Sequence, residues 1–245
     1  MSDPNAFMEV PGRLTSAELR ANLKAEGRPV LLAFSRGKDS LAAWLALRET
    51  GIPVIPYFMY LVPHMKYLDE SVKVYEDFFG QHILQVPHPA FYNAIRSYIW
   101  QPPENVAIIE SMAIPHISPV DLQNMVRETY AQMNTWLCTG VRGADSPQRR
   151  VAVVTHGPVN QRERTMMAVW DWKISHVRDI LNRYHCPLPV DYQWFGRTLD
   201  GFDYRFIAPL RRNARETYEY LKQWFPLLDL EILRYGVKGK AWQRG

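Results

Sequence analysis

Cysteine is scarce in this chain of 245 residues, which has only two, Cys138 and Cys186. That excludes a disulfide scaffold. Neither residue lies in a Cys-x-x-Cys pair, so zinc-ribbon and dithiol motifs are excluded as well. The histidines, His64, His82, His88, His116, His156, His176 and His185, fall at no metal-ligand spacing. No apolar run approaches the ~18 residues that a membrane-crossing helix needs. Residues 1–10 lack a basic region followed by an apolar stretch, so no secretory signal is recognisable. These absences predict a cytoplasmic protein with no membrane partner. Charge of one sign is in small excess. The net value of +4 is compatible with a polyanionic partner, nucleic acid included, without demanding one. Self-association is left open.

Hydrophobic residues make up 47% of the chain, ample for one large domain or one domain with an appendage. Residues 15–26 read as a short amphipathic helix capped by Thr15 or Ser16. Val30–Phe34 is an apolar run suited to the centre of a parallel sheet covered on both faces. A helix is expected over 39–49, stopped by Gly51 and Pro53. A strand follows over 54–61, with Pro56 inside it marking a late start or a bulge. A helix over 68–79 and a strand over 82–86 complete a βαβαβ order, which argues for parallel strands joined by helical crossovers. Residues 87–119 are proline-rich and read as an irregular insertion. Ser118-Pro119 opens a helix to about 134, Trp136–Val141 is a strand, 142–150 a polar loop, and 151–155 a short strand or arm. A helix over 175–184 and one opened by a capping box at Asn213–Glu216 complete the pattern.

The junction at Ser35-Arg36-Gly37-Lys38-Asp39-Ser40 carries the chemistry. A strand ends, a short polar loop follows, and a helix begins at once. The first N–H groups of a helix lack internal partners and the positive end of its dipole lies there, so such a terminus suits an anion. Gly37 lets backbone approach a ligand, Ser35 and Ser40 add hydroxyl donors, and Lys38 adds a cation. The common phosphate loop needs Gly where Leu32 stands and Ser or Thr where Asp39 stands, so this is a different loop. It resembles the Ser-Gly-Gly-x-Asp-Ser loop of the PP-loop ATP pyrophosphatases, and in its Lys-Asp-Ser form the branch that includes phosphoadenylylsulfate (PAPS) reductases. Arg36 stands where the family has its first Gly; its guanidinium fork would suit phosphate oxygens.

A second constellation, Thr139-Gly140-Val141-Arg142-Gly143-Ala144-Asp145-Ser146-Pro147-Gln148-Arg149-Arg150, follows an expected strand. Ligands of open parallel sheets bind beyond the carboxyl ends of strands, so this loop would share an edge with the first. It is similar to the Gly-x-Arg…Ser…Arg segment of the same branch. A third segment, residues 169–180, looks like the family's Pro-Ile-x-x-Trp-x-x-x-Asp-Val, with Trp172 packing and Ser175 capping a helix. Together the matches span residues 28–190, about two-thirds of the chain.

The resemblance implies an α/β protein of the adenine nucleotide alpha hydrolase-like type. Its sheet would be open, mostly parallel and five-stranded, with helices on both faces. Residues 1–210 would form the nucleotide-binding domain, with 87–119 inserted and 211–245 a helix-and-strand extension. The resemblance further implies ATP and Mg²⁺ as cofactors. Ser35, Arg36, Gly37, Lys38, Asp39, Ser40, Gly140, Arg142, Arg149 and Arg150 would bind the nucleotide. Lys38 and Asp39 would be catalytic, and Asp39 would hold Mg²⁺ or brace the loop. Reductases of this branch need a C-terminal Cys, and Tyr235–Gly245 contains none. Without a thiolate that cycle cannot run. Three readings remain. One is an enzyme that adenylates an unknown acceptor and releases pyrophosphate. Another is a sulfur-transfer enzyme using Cys138 or Cys186 on a nucleotide or nucleic acid. The third is a non-catalytic nucleotide-binding protein.

Overall fold

The computed structural model describes residues 6–242. Helix α1 (Ser16–Glu26) precedes strand β1 (Val30–Phe34). Helix α2 (Lys38–Thr50) leads to β2 (Val54–Tyr60), and α3 (Lys66–Phe79) leads to β3 (Leu84–Pro87). Three helices follow, α4 (Pro89–Arg96), α5 (Pro103–Ser111) and α6 (Pro119–Tyr130), and then β4 (Leu137–Thr139). A 3-10 turn at Gly143–Asp145 runs into α7 (Pro147–His156). The short strands β5 (Val159–Asn160) and β6 (Thr165–Met167) precede α8 (Ile174–Arg183). The remainder is helical: α9 (Asp191–Phe195), α10 (Tyr204–Asn213), α11 (Arg215–Trp224) and α12 (Asp229–Trp242). None of the described helices is long and apolar enough to cross a membrane.

The expected class is the observed one: an α/β fold with an open, mostly parallel sheet flanked by helices. The sheet has six strands rather than five, in the order β3-β2-β1-β4-β6-β5. Strand β1 runs parallel to β2 and β4, β4 runs parallel to β6, and only the added β5 is antiparallel to its neighbour. Pro56 lies inside β2 opposite Leu32, and the strand continues through it.

Several local expectations need correction. Residues 151–155, a β-branched run read as a strand, belong to α7. Ser146 caps that helix by accepting from the Arg149 N–H at 3.2 Å, and Pro147 occupies its first turn. This cap overrides the strand propensity of Val151, Val153 and Val154. The insertion over 87–119 carries α4 and α5. The cap of α11 is Ala214, without a side-chain bond, rather than Asn213. After residue 210 the described chain is helical, with no strand.

The chain divides into two compact units. The first takes the residues up to Met59, Glu76–Gln85 and Asn124–Leu188; the second takes Tyr60–Tyr75, Val86–Gln123 and the residues from Pro189 on. The core of the first is built on the buried faces of β1 and α2. Trp44 stacks on Phe79 at 3.6 Å between ring centroids and meets Phe34 edge-on at 5.2 Å. Buried Arg127 ties the beginnings of two strands together, donating to the carbonyls of Thr135 at 3.0 Å and Glu163 at 2.7 Å. The second unit is held by aromatic packing. Phe91 meets Trp224 and Phe225, and Phe202 meets Phe225. Glu231 is 1% exposed and accepts from the Tyr204 N–H and from Arg234.

Trp44→Ala removes a ring that both Phe34 and Phe79 pack against. The substitution is expected to cost about 3–5 kcal/mol, read as a lowered midpoint in urea unfolding followed by circular dichroism.

Candidate functional site

The loop between β1 and α2 is shaped by its own polar groups. The Ser40 hydroxyl donates to the Gly37 carbonyl at 2.9 Å and accepts from the Ser35 N–H at 3.2 Å and the Ser35 hydroxyl at 3.1 Å. Both hydroxyl protons are therefore engaged in holding the turn, and a ligand would have to draw them away. Arg36 has φ of 61°, the left-handed region that costs an L-residue roughly 1–2 kcal/mol and glycine almost nothing. A glycine at this position, as in the PP-loop pattern, meets that demand. The Arg36 side chain, expected to clamp a phosphate, is instead buried, with its guanidinium carbon 5.3 Å from the centre of the Phe58 ring.

The second constellation lies directly against the first. A Cβ at Gly140 would stand 2.4 Å from the Asp39 carbonyl oxygen and 2.7 Å from the Ser40 nitrogen. Only glycine lets the end of β4 come so close to the first turn of α2. Two residues on, Arg142 is 3% exposed. Its Nε donates to Asp39 Oδ1 at 2.7 Å, one Nη donates to Asp145 at 3.2 Å, and the other reaches the Trp172 carbonyl at 3.4 Å. Lys38 Nζ lies 3.4 Å from the second Asp39 oxygen, and Arg149 pairs with Asp145. The result is a chain of alternating charge: Lys38, Asp39, Arg142, Asp145, Arg149. The expected site residues are brought together, with two exceptions: Arg36 is turned into the interior and Arg150 is exposed on α7. Both Asp39 oxygens face cations, and these contacts brace the loop.

An open cleft of about 470 Å³ lies beside this chain of charges, lined by Lys38, Arg142, Ala144, Asp145, Lys173 and Ile174. Its size falls in the roughly 300–1,000 Å³ range of small-molecule sites. Lys173 was not foreseen from the sequence. It enters because β6 lies next to β4, which sets the start of α8 beside the start of α2. The residue capping α8 is Lys173 rather than the expected Ser175. Its N–H donates to Nδ1 of His176 at 3.0 Å, and His176 stacks on Phe7 at 4.0 Å. Trp172 packs inward, 8% exposed, as expected. A second, more apolar cavity of about 510 Å³ is walled by Phe7, Met8, Val10, Pro11, Arg13 and Trp170, among others. It brings no second cation beside Arg13.

Both thiols are free and buried. Burial pushes the Cys138 thiol up to about 12, with nearby Arg20 pulling weakly the other way. Burial alone pushes Cys186 to about 12.

No protein-family model and no curated protein matches the chain. Among solved structures it is similar to that of a predicted subunit of tRNA methyltransferase from Methanocaldococcus jannaschii. The identity is 14%, the match covers 81% of this chain and 93% of that one, and the TM-score is 0.35. So slight a likeness has no bearing on the site.

Two outcomes are expected. Gly140→Ala forces the ends of β4 and α2 apart, at about 1–3 kcal/mol, measurable as a lowered Tm. At pH 8 the raised pKa values leave about one part in ten thousand of either thiol ionised. Ellman's reagent should therefore find both cysteines almost unreactive in the folded protein and both reactive in guanidinium.

Proposed function

We propose that the chain binds an adenine nucleotide in the manner of the PP-loop ATP pyrophosphatases, adenylating an acceptor and releasing pyrophosphate. The observation that carries this reading is the start of α2. It bears Lys38, it is closed by backbone at Gly140, and it is braced by the Asp39–Arg142 pair. The adenine preference rests on the resemblance of residues 35–40 to the family loop. An acceptor oxygen would attack the α-phosphorus of ATP. The new P–O bond would form as the bond to the bridging oxygen breaks, and the electron pair would leave with pyrophosphate. Charge growing on that leaving group would meet the α2 terminus and Lys38, donors fixed before the reaction begins. Mg²⁺ would arrive on the phosphates of the nucleotide, since both oxygens of Asp39 already face cations.

The arrangement of the thiols speaks against sulfur transfer, because a buried, protonated thiol is a poor nucleophile. Nothing at the site selects an acceptor, and nucleic acid remains one candidate class.

The test is calorimetric titration with ATP and Mg²⁺, paired with an assay of pyrophosphate release across candidate acceptors. Lys38→Ala is the cleaner variant, since Asp39→Ala would remove the 2.7 Å partner of the nearly buried Arg142 and disturb the loop as well. Removing the Lys38 charge should weaken ATP by roughly ten- to a hundredfold, the worth of one charge-assisted hydrogen bond at about 1.5–3 kcal/mol. Equal affinity in both proteins would refute the placement. Tight binding without pyrophosphate release under any acceptor would favour the non-catalytic reading.

A further inference from the structure

Helix α7 buries one of its ten residues, Val153. A helix on a folded surface normally turns its apolar side chains inward and its polar ones outward. Here two valines face outward as well: Val151 is 63% exposed and Val154 50%. Three residues apart, they form one apolar ridge. Arg150 stands on the same side, four residues before Val154. It belongs to the second sequence constellation, yet the fold leaves it exposed on α7.

The ridge lies beside a hollow. The Arg13 guanidinium donates to the carbonyls of Val154 and Thr155 at 3.2 and 3.3 Å. Arg13 also lines the apolar cavity of about 510 Å³, whose walls include Phe7, Val10, Pro11 and Trp170. Phe7 and Leu14, from the same stretch of chain, are exposed. That stretch is anchored, not loose: the Met8 N–H donates to the Asp171 carbonyl at 2.7 Å, and the Trp170 indole donates to the Leu14 carbonyl at 3.1 Å. Glu9 lines the cavity too and is exposed. Neither Glu9 nor Arg150 has an ion-pair partner among the described residues. All of these residues belong to the first compact unit.

An exposed apolar surface with a polar border marks a contact site. Its occupant follows from what stands side by side. In a two-fold contact between identical chains residue i meets j while j meets i, so one patch must carry both members of every pair. This patch carries a ridge and a hollow, and a cation and an anion. The charge of Arg13 is already taken up at the carbonyl end of α7, where the helix dipole favours it. Glu9 therefore remains as the counterpart of Arg150.

We propose that the chain forms a two-fold dimer, in which the α7 ridge of each copy seats in the apolar cavity of the other and Arg150 faces the partner's Glu9. The contact adjoins the cleft, because Asp145 lines the cleft and Ser146 begins α7. It does not depend on what the cleft binds.

The experiment is sedimentation velocity of the full chain over a concentration series from nanomolar to high micromolar. The wild type should pass from one chain to two and no further. Val154→Asp puts a charge into the apolar contact and should weaken the dimer roughly a hundredfold or more. Glu9→Arg and Arg150→Glu should each weaken it about tenfold, and the two together should restore it. The changed residues are exposed, so each variant should keep the wild-type circular dichroism spectrum, which separates lost association from lost folding. A wild type that stays monomeric throughout the series overturns the proposal. So does a dimer indifferent to Val154→Asp, or a double reversal no better than the single ones.

Discussion

The close approach of β4 to α2 is the constraint on which the rest of the site depends. At Gly140 the strand meets the helix backbone to backbone, with no room for a methyl group against the Asp39 carbonyl. That contact sets Arg142 two residues later, where its guanidinium reaches Asp39 at 2.7 Å in a nearly solvent-free position. A largely buried ion pair of this kind adds little net stability but is costly to break, because the Arg142 guanidinium would lose its shortest charge partner where water scarcely reaches. Its effect is to fix the loop after β1 to the loop after β4. Asp145 and Arg149 extend the arrangement, so the carboxyl ends of β1 and β4 form one connected charged surface.

What this surface offers a ligand follows from its electrostatics. Asp39 sits in the first turn of α2, where alone it would repel an anion; Arg142 and Lys38 cancel that effect. The serine hydroxyls preserve the shape of the turn, and the helix terminus and lysines supply attraction. Two residues around this edge carry local costs. Arg36 holds a left-handed backbone conformation, and Lys173 occupies a cap position that other residues fill better. Each cost is small beside the stability of a core in which Trp44, Phe34 and Phe79 interlock.

Much of this was legible in the sequence where the signal is local. The apolar run Val30–Phe34, the cap at Thr15 or Ser16, and the Gly51 stop each act within a few residues, and the structure places these elements within a residue or two of expectation, with Thr15 as the cap. The two site loops were also legible, because a strand end followed by a polar loop and a helix start is a contiguous pattern. Reading failed where tertiary context decides. The valines of 151–155 have strand propensity, yet Ser146-Pro147 caps a helix there, the same signal that was recognised at Ser118-Pro119. Strands β5 and β6 have two and three residues, too short for alternation to register. Lys173 is a lone cation beside a tryptophan in the sequence. It becomes a site residue only through strand order, which places β6 beside β4. The burial of Arg36 depends likewise on Phe58 of the neighbouring strand.

The central claim is that phosphates bind where α2 begins. The most direct measurement is a crystal structure of the full chain with a non-hydrolysable ATP analogue and Mg²⁺. The account predicts phosphate density against the backbone N–H groups at the start of α2, with Lys38 in contact and the Asp39–Arg142 pair intact. Nucleotide bound instead in the apolar cavity along Phe7, Val10 and Trp170, or with Asp39 swung away from Arg142, would contradict it.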